Sequence, residues 1–193
     1  MRIDITTCTK LNVTDSCAFW NILSSPTFYS VLIDQKFDFA CTDFVVHECL
    51  HKQRTEPTNE DSSIQNKFKI LLETRKVVSH KLSIEDLQDD EILKHRKSLG
   101  KGELSSIAFA KKTRLSFHSD DQGARRIAER ILGVKQVQTT PLLLGWLFYN
   151  NHLSDRDLEP IIKDHISAGR PLERFFREVH EESWRIKLQT KSI

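Results

Sequence analysis

Five acidic side chains stand where apolar runs end or helical patterns begin, and together they have the chemistry of a site for a hard divalent cation. Asp15 follows the run from Lys10 to Thr14, and Glu48 lies in the pattern Val45, Val46, Cys49, Leu50. Glu103 falls in the first turn of a helix opened by Gly102, and Asp120-Asp121 end the run Arg114 to His118, just before Ala124-Arg125-Arg126. Out of 27 acids, these are singled out because Asp15, Glu48, Glu103 and the Asp120-Asp121 pair each follow a different expected strand by a few residues. Carboxylates gathered at one edge repel one another, so one of them stays protonated unless a cation neutralises it. Oxygen ligands favour Mg²⁺ or Mn²⁺, one ion or two. Paired ions about 3.5–4 Å apart activate water and stabilise the leaving oxygen in phosphodiester cleavage. Such a site needs no nucleophile from the protein.

Each acid also has an ordinary explanation when taken singly. Asp15 and Asp120 can cap helices or turns, Glu103 suits the dipole of a first helical turn, and Glu48 can be a solvated surface acid. Glu48 also belongs to His47-Glu48-Cys49-Leu50-His51, which matches HExxH, the pattern of a zinc metallopeptidase. Lys52 and Gln53 follow it at once, no third ligand stands out downstream, and exposed histidines flanking an acidic site are the favoured reading.

Strands are expected at Lys10 to Thr14, Phe37 to Thr42, Lys76 to Ser79, Arg114 to His118 and Val134 to Thr139. Helices are expected at Cys17 to Leu23, Phe28 to Ile33, after an Asp43 cap, through Lys69 to Thr74, and over Ile84 to Leu99 with a bend at Gln88-Asp89-Asp90. Further helices open at Gly102 and span Ala124 to Leu132, Pro141 to Tyr149, Asp157 to Ser167 and Pro171 to Trp184. Residues 54–63 read as a polar surface loop. This alternation predicts a three-layer α/β/α sandwich with a central, mostly parallel sheet of about five strands. Ligands in such sheets bind beyond the carboxyl ends of the strands.

The chain has 193 residues, 29 basic against 27 acidic, for a formal net charge of +2, so it is no polycation and must grip a polyanion locally. Arg125, Arg126 and Lys101 are the preferred phosphate contacts; Arg130, Lys111, Lys112 and Arg114 lie nearby in sequence. The four cysteines form no CxxC pair, which points to a reducing compartment, and with a polar start and no membrane-length apolar run the expected location is the cytoplasm. In the tail, Phe175, Phe176 and Trp184 mix with Arg170, Arg174, Arg177 and Arg185, as in a helix packed on the domain or used at a partner or dimer interface.

The chain resembles the PIN domain family of nucleases. The similar segments are Asn12-Val13-Thr14-Asp15-Ser16, the Val45 to Leu50 helix, Lys101-Gly102-Glu103-Leu104-Ser105-Ser106-Ile107-Ala108, Leu115 to Ala128, and Val137-Gln138-Thr139-Thr140 with Leu142-Leu143-Leu144. The resemblance implies a nuclease domain over 1–165 with a helical extension over 166–193. It implies that Asp15, Glu48, Glu103 and Asp120 or Asp121 bind metal and carry catalysis, with Ser16 and Thr139 or Thr140 as polar support. It implies an endoribonuclease acting on single-stranded or structured RNA. It leaves open a toxin role with an antitoxin protein, a homodimer, and the alternative of a catalytically silent PIN-like protein-binding module.

Overall fold

Five short strands carry the architecture: β1 (Leu11–Thr14), β2 (Asp38–Thr42), β3 (Val77–His80), β4 (Ser116–His118) and β5 (Val137–Gln138). In the computed structural model, which describes residues 4–52, 58–83 and 85–190, they form one sheet in the order β3-β2-β1-β4-β5. Every pairing is parallel, with Val13 opposite Ala40 and Phe117, and His118 opposite Gln138. Among the described residues ten α-helices accompany the strands: α1 (Ser16–Ser24), α2 (Pro26–Asp34), α3 (Asp43–Leu50), α4 (Asn59–Glu73), α5 (Asp90–Leu93), α6 (Lys101–Thr113), α7 (Gln122–Leu132), α8 (Thr140–Tyr149), α9 (Asp155–Ser167) and α10 (Glu173–Thr190). The three-layer α/β/α sandwich expected from the alternation is therefore present, with an all-parallel sheet and further helices at the carboxyl end.

Strand side chains alternate between the two faces, and each face meets its own core. Val13, Ala40, Phe117 and Val137 pack against Ile107, Phe109, Ala124 and Ala128 of α6 and α7. Phe39 and Cys41 point the other way, into a larger core with Phe19, Val45, Phe68, Leu143 and Phe148. The same alternation puts Asn12, Thr14, Ser116, His118 and Gln138 on that second face, all buried, so the sheet's central seam is lined with polar groups. Helix α10 lies on α8 through Phe176 and Val179. A Cβ on Gly145 would stand 2.7 Å from Ile5 and 2.9 Å from Val179, so glycine is what lets α8, α10 and the segment at Ile5 approach. The α9 helix runs on to Ser167, across the 165/166 boundary.

Several elements differ from expectation because local hydrogen bonding wins over apolar spacing. Arg114 takes a left-handed conformation and closes α6, which shortens β4 to its last three residues. Residues Val134–Gln136 form a 3₁₀ turn after Gly133 (φ +93°), leaving β5 only Val137–Gln138. Over 85–99 there is a 3₁₀ turn, Glu85–Leu87, and the single-turn α5, because Asp86 and Asp89 accept from nearby backbone amides and from Lys112 and Lys111. Ile84 lies outside the described residues. Thr42, not Asp43, caps α3. Thr58 and Asp61 form a capping box that starts α4 at Asn59, so 59–63 is helix; 54–57 lie outside the described residues. Among the described residues, no helix is long and apolar enough to cross a membrane.

Candidate active site

The strand order reverses between β1 and β4: from β1 the chain builds outward through β2 and β3, then returns to lay β4 and β5 on the other side. Ligands of open parallel sheets bind past the carboxyl ends of the strands at such a reversal. Asp15 leaves β1 there, and Ser119-Asp120 leave β4. The Asp15 amide donates to the His118 carbonyl at 3.1 Å and the Ser119 amide to the Gln138 carbonyl at 3.1 Å, so the sheet's bonding extends past the strands and fixes both acids. Helices α1, α3, α7 and α8 begin directly after their strands, so their positive ends open at this edge and favour carboxylates. Glu103 was expected a few residues after a strand, but residues 81–102 intervene after β3. It reaches the edge because α6 runs back towards β4 and its first turn meets α3.

Asp15 is 1% exposed. Its Oδ1 accepts from the Ala18 amide at 2.8 Å, capping α1, while Oδ2 is buried without a hydrogen-bond partner. Burial pushes its pKa up to about 8; the neighbouring Ser119 hydroxyl and the Ala18 amide pull it back, and the charges of Asp120 and Glu103 push it up further. Burial, reinforced by the neighbouring acids, thus favours the acid form of Asp15 near neutral pH.

Glu48 and Glu103 flank Gly100. A Cβ on that glycine would lie 3.6 Å from Glu103 Oε2 and 3.9 Å from Glu48 Oε1. Glu48 accepts from the Ser16 hydroxyl at 2.8 Å and from the Gly102 amide at 3.1 Å. Glu103 accepts from the Gly100 amide at 2.9 Å; its pKa is raised by partial burial and by the charges of Asp121 and Glu48.

The doubled aspartate divides its roles. Asp121 is exposed and caps α7 by accepting from the Ala124 amide at 2.7 Å. Asp120 points inward and accepts from Asn21 Nδ2 at 2.7 Å, from the Thr140 amide at 2.9 Å and from the Thr140 hydroxyl at 2.5 Å. Because Thr140 gives its single proton to Asp120, His118 Nε2, 3.2 Å away, must donate to Thr140 Oγ1. Burial lowers the His118 pKa to about 4, so the ring is neutral. Thr139 caps α8 through the Leu142 amide, so it is Thr140 that supports an acid.

Asn21 and His118 were not among the expected site residues. Asn21 carried a signal in being the lone polar residue of the apolar run Cys17 to Leu23; His118 carried none beyond adjacency to the acids.

Of the basic candidates, Lys101 and Arg126 are exposed at the N-terminal ends of α6 and α7, and Arg125 is half-buried with its Nε lacking a partner. Lys111 is paired with Asp89 and Glu91, and Lys112 with Asp86. His47 and His51 are exposed, with ring centroids 5.7 Å apart, while Glu48 is turned to Ser16 and Gly102. Among the described residues, no three His, Cys, Asp or Glu side chains converge closely enough to hold a metal ion. The acids are neighbours whose carboxylates are held by protein donors. No family model, curated protein or solved structure matches the chain.

Proposed function

We propose that the chain is a Mg²⁺- or Mn²⁺-dependent nuclease that hydrolyses phosphodiester bonds, an endoribonuclease of the PIN type. The single observation that carries this reading is Asp15: a buried carboxyl with an orphaned oxygen and a raised pKa, at the sheet's reversal point and within electrostatic reach of Asp120 and Glu103. An all-oxygen donor set suits a hard dication, and the orphaned oxygen is a place for one. Asp15 would hold it, joined by Asp120, Glu48 and Glu103 once these turn from the protein donors that now hold them. Once bound, the ion supplies an acidified water and charge stabilisation at phosphorus. The chain's own residues do the rest: Asn21 and Thr140 aim Asp120, Ser16 and the Gly102 amide aim Glu48, and Lys101, Arg125 and Arg126 hold the strand's phosphates. RNA as the substrate rests on the resemblance of the segments around these residues to the PIN family.

The test is incubation of the full chain and of Asp15→Asn with labelled RNA or single-stranded DNA in Mg²⁺, Mn²⁺ or EDTA. Cleavage by the native chain alone, lost in EDTA, is the expected result; cleavage that persists in EDTA or in the variant overturns it. A second reading, a binding module without catalysis, draws on the full hydrogen bonding of Glu48 and Asp120 to protein donors. Saturable binding of a protein partner, with no cleavage of RNA or single-stranded DNA under any condition, would establish this protein-binding module in place of the first.

A further inference from the structure

His47 and His51 are the only two of the chain's eight histidines that stand one helical turn apart in sequence. The backbone fixes that spacing: the His51 amide donates to the His47 carbonyl at 2.8 Å, the bond that closes α3. Residues so related face the same side of a helix. Their imidazoles are neighbours, with ring centroids 5.7 Å apart and an interplanar angle of 38°. Both side chains are exposed, and apart from each other neither ring has a partner among the described residues. Other histidines are spent within the fold: His118 on Thr140, His165 on the Ile161 carbonyl, His180 on Asp155, and His80 and His152 on aromatic rings.

Two free imidazoles on one rigid turn select their ligand. Neutral imidazole nitrogen binds borderline dications such as Zn²⁺, Cu²⁺ and Ni²⁺, whereas Mg²⁺ and Ca²⁺ take oxygen. Zn–N bonds of about 2.0–2.1 Å put each ring centroid about 3.2 Å from the ion, so two rings stand about 5.2 Å apart at a tetrahedral angle and about 4.5 Å apart at a right angle. The observed 5.7 Å is nearer the tetrahedral figure, which Zn²⁺ adopts, and small rotations of two exposed side chains close the difference. Water completes the shell. The acid between the two histidines takes no part: Glu48 accepts from the Ser16 hydroxyl and the Gly102 amide. It is therefore neither a third ligand nor the base that HExxH chemistry needs, and the pair makes a binding site rather than a peptidase centre. Asp43, one turn before His47, attracts a cation, and Lys52, directly after His51, opposes one.

We propose that His47 and His51 form a two-histidine site for Zn²⁺ on the surface of α3, separate from the oxygen-lined acid edge and independent of the nuclease reading. The test is calorimetric titration of the full chain with ZnCl₂ in excess Mg²⁺, which competes for carboxylates but not for imidazole. Saturable Zn²⁺ binding is expected, weakened at least tenfold in His47→Gln and in His51→Gln. It is expected to change less than twofold in Asp15→Asn, which alters the acid edge, and in Cys17→Ser, which removes an exposed thiol. The double variant His51→Gln with Lys52→His keeps eight histidines but moves one out of register, and is expected to bind no better than His51→Gln with Lys52→Gln. Because both histidines are exposed, the melting temperatures of the histidine variants without Zn²⁺ should match that of the native chain, so a loss of binding is not a loss of fold. Absence of saturable binding, binding undiminished in either histidine variant, binding restored by the displaced histidine, or binding lost with Asp15 or Cys17 each overturns the inference.

Discussion

A Cβ at position 102 would stand 2.2 Å from Oε2 of Glu48, so the glycine that opens α6 is the space in which the Glu48 carboxylate sits. The Gly102 amide then binds that carboxylate, and one residue type serves both approach and hydrogen bonding. Gly102→Ala must expel the carboxylate, the far end of a flexible side chain, and so forfeits the bonds from Ser16 and Gly102. Charged hydrogen bonds contribute about 1.5–3 kcal/mol each, while alanine returns about 1 kcal/mol of helix propensity. A net loss of about 2–5 kcal/mol is expected in urea unfolding. In a Glu48→Ala background the sign reverses, since the clash is gone and only the propensity gain remains. A destabilisation of equal size in both backgrounds would mean that Glu48 does not occupy this space.

The division of labour between Asp120 and Asp121 predicts opposite phenotypes. Asp121→Ala removes a helix cap and should cost about 1 kcal/mol while leaving RNA cleavage within a few fold of the native chain. Asp120→Asn leaves the fold but places an amide against the Thr140 amide and Asn21, disturbing the bonds that orient it, and should abolish cleavage. Thr140→Val should cost about 2 kcal/mol, because it leaves His118 Nε2 buried without a partner; Thr140→Ser should restore most of it. Measured rates that fall with Asp121 and not with Asp120 would reverse the assignment.

The parallel sheet and the edge that carries the acids were legible because apolar runs ended at Thr14, Thr42 and His118 in residues with one obvious role, capping or ligation. The tie between Glu103 and Glu48 was legible only as a coincidence of type. It depends on α6 folding back across 81–102, where Asp86 and Asp89 spend their side chains on local amides and lysines rather than on a long helix. Which of Asp120 and Asp121 faces inward could not be read from a doubled aspartate, because the choice is made by Asn21 and Thr140, distant in sequence. His118 was silent for the same reason: its partner is a hydroxyl on the next helix.

Stability should depend on pH through buried groups of opposite sign. The Asp15 pKa is raised from 3.8 to about 8, so the folded chain keeps a proton that the unfolded chain releases, and the associated stability is lost as pH rises from about 4 through 8. The His118 pKa is lowered from 6.5 to about 4, so the unfolded chain binds the extra proton and stability is lost as pH falls from 6.5 towards 4. The two slopes oppose each other between about 4 and 6.5, where buried His165, its pKa also lowered by burial, adds to the His118 slope; above 6.5 the histidine slopes end and the Asp15 slope remains to 8. The melting temperature should therefore fall between pH 6.5 and 8 in the native chain and stay level in Asp15→Asn, where asparagine still caps α1. Mn²⁺ should raise the native melting temperature more at pH 8 than at pH 6, because it takes the ionised carboxylate. An Asp15→Asn profile parallel to the native one would remove Asp15 from this role.

Exposed Lys101 and Arg126 sit at helix ends that open on the acid edge, whereas Lys112 is paired with Asp86 and faces elsewhere. Each cation that neutralises a phosphate of a single strand steepens the dependence of log affinity on log salt by about 0.7. Lys101→Gln and Arg126→Gln should each reduce the slope for a single-stranded RNA, measured by fluorescence anisotropy in EDTA, by about that amount, and the double variant by about twice it. Lys112→Gln should leave the slope unchanged, because its charge is already matched and removing it frees an acid away from the strand. All three side chains are exposed, so melting temperatures should agree with that of the native chain within a few degrees. A slope that responds to Lys112 and not to Lys101 or Arg126 would route the polyanion over α5 and the carboxyl end of α6, away from the carboxylates altogether.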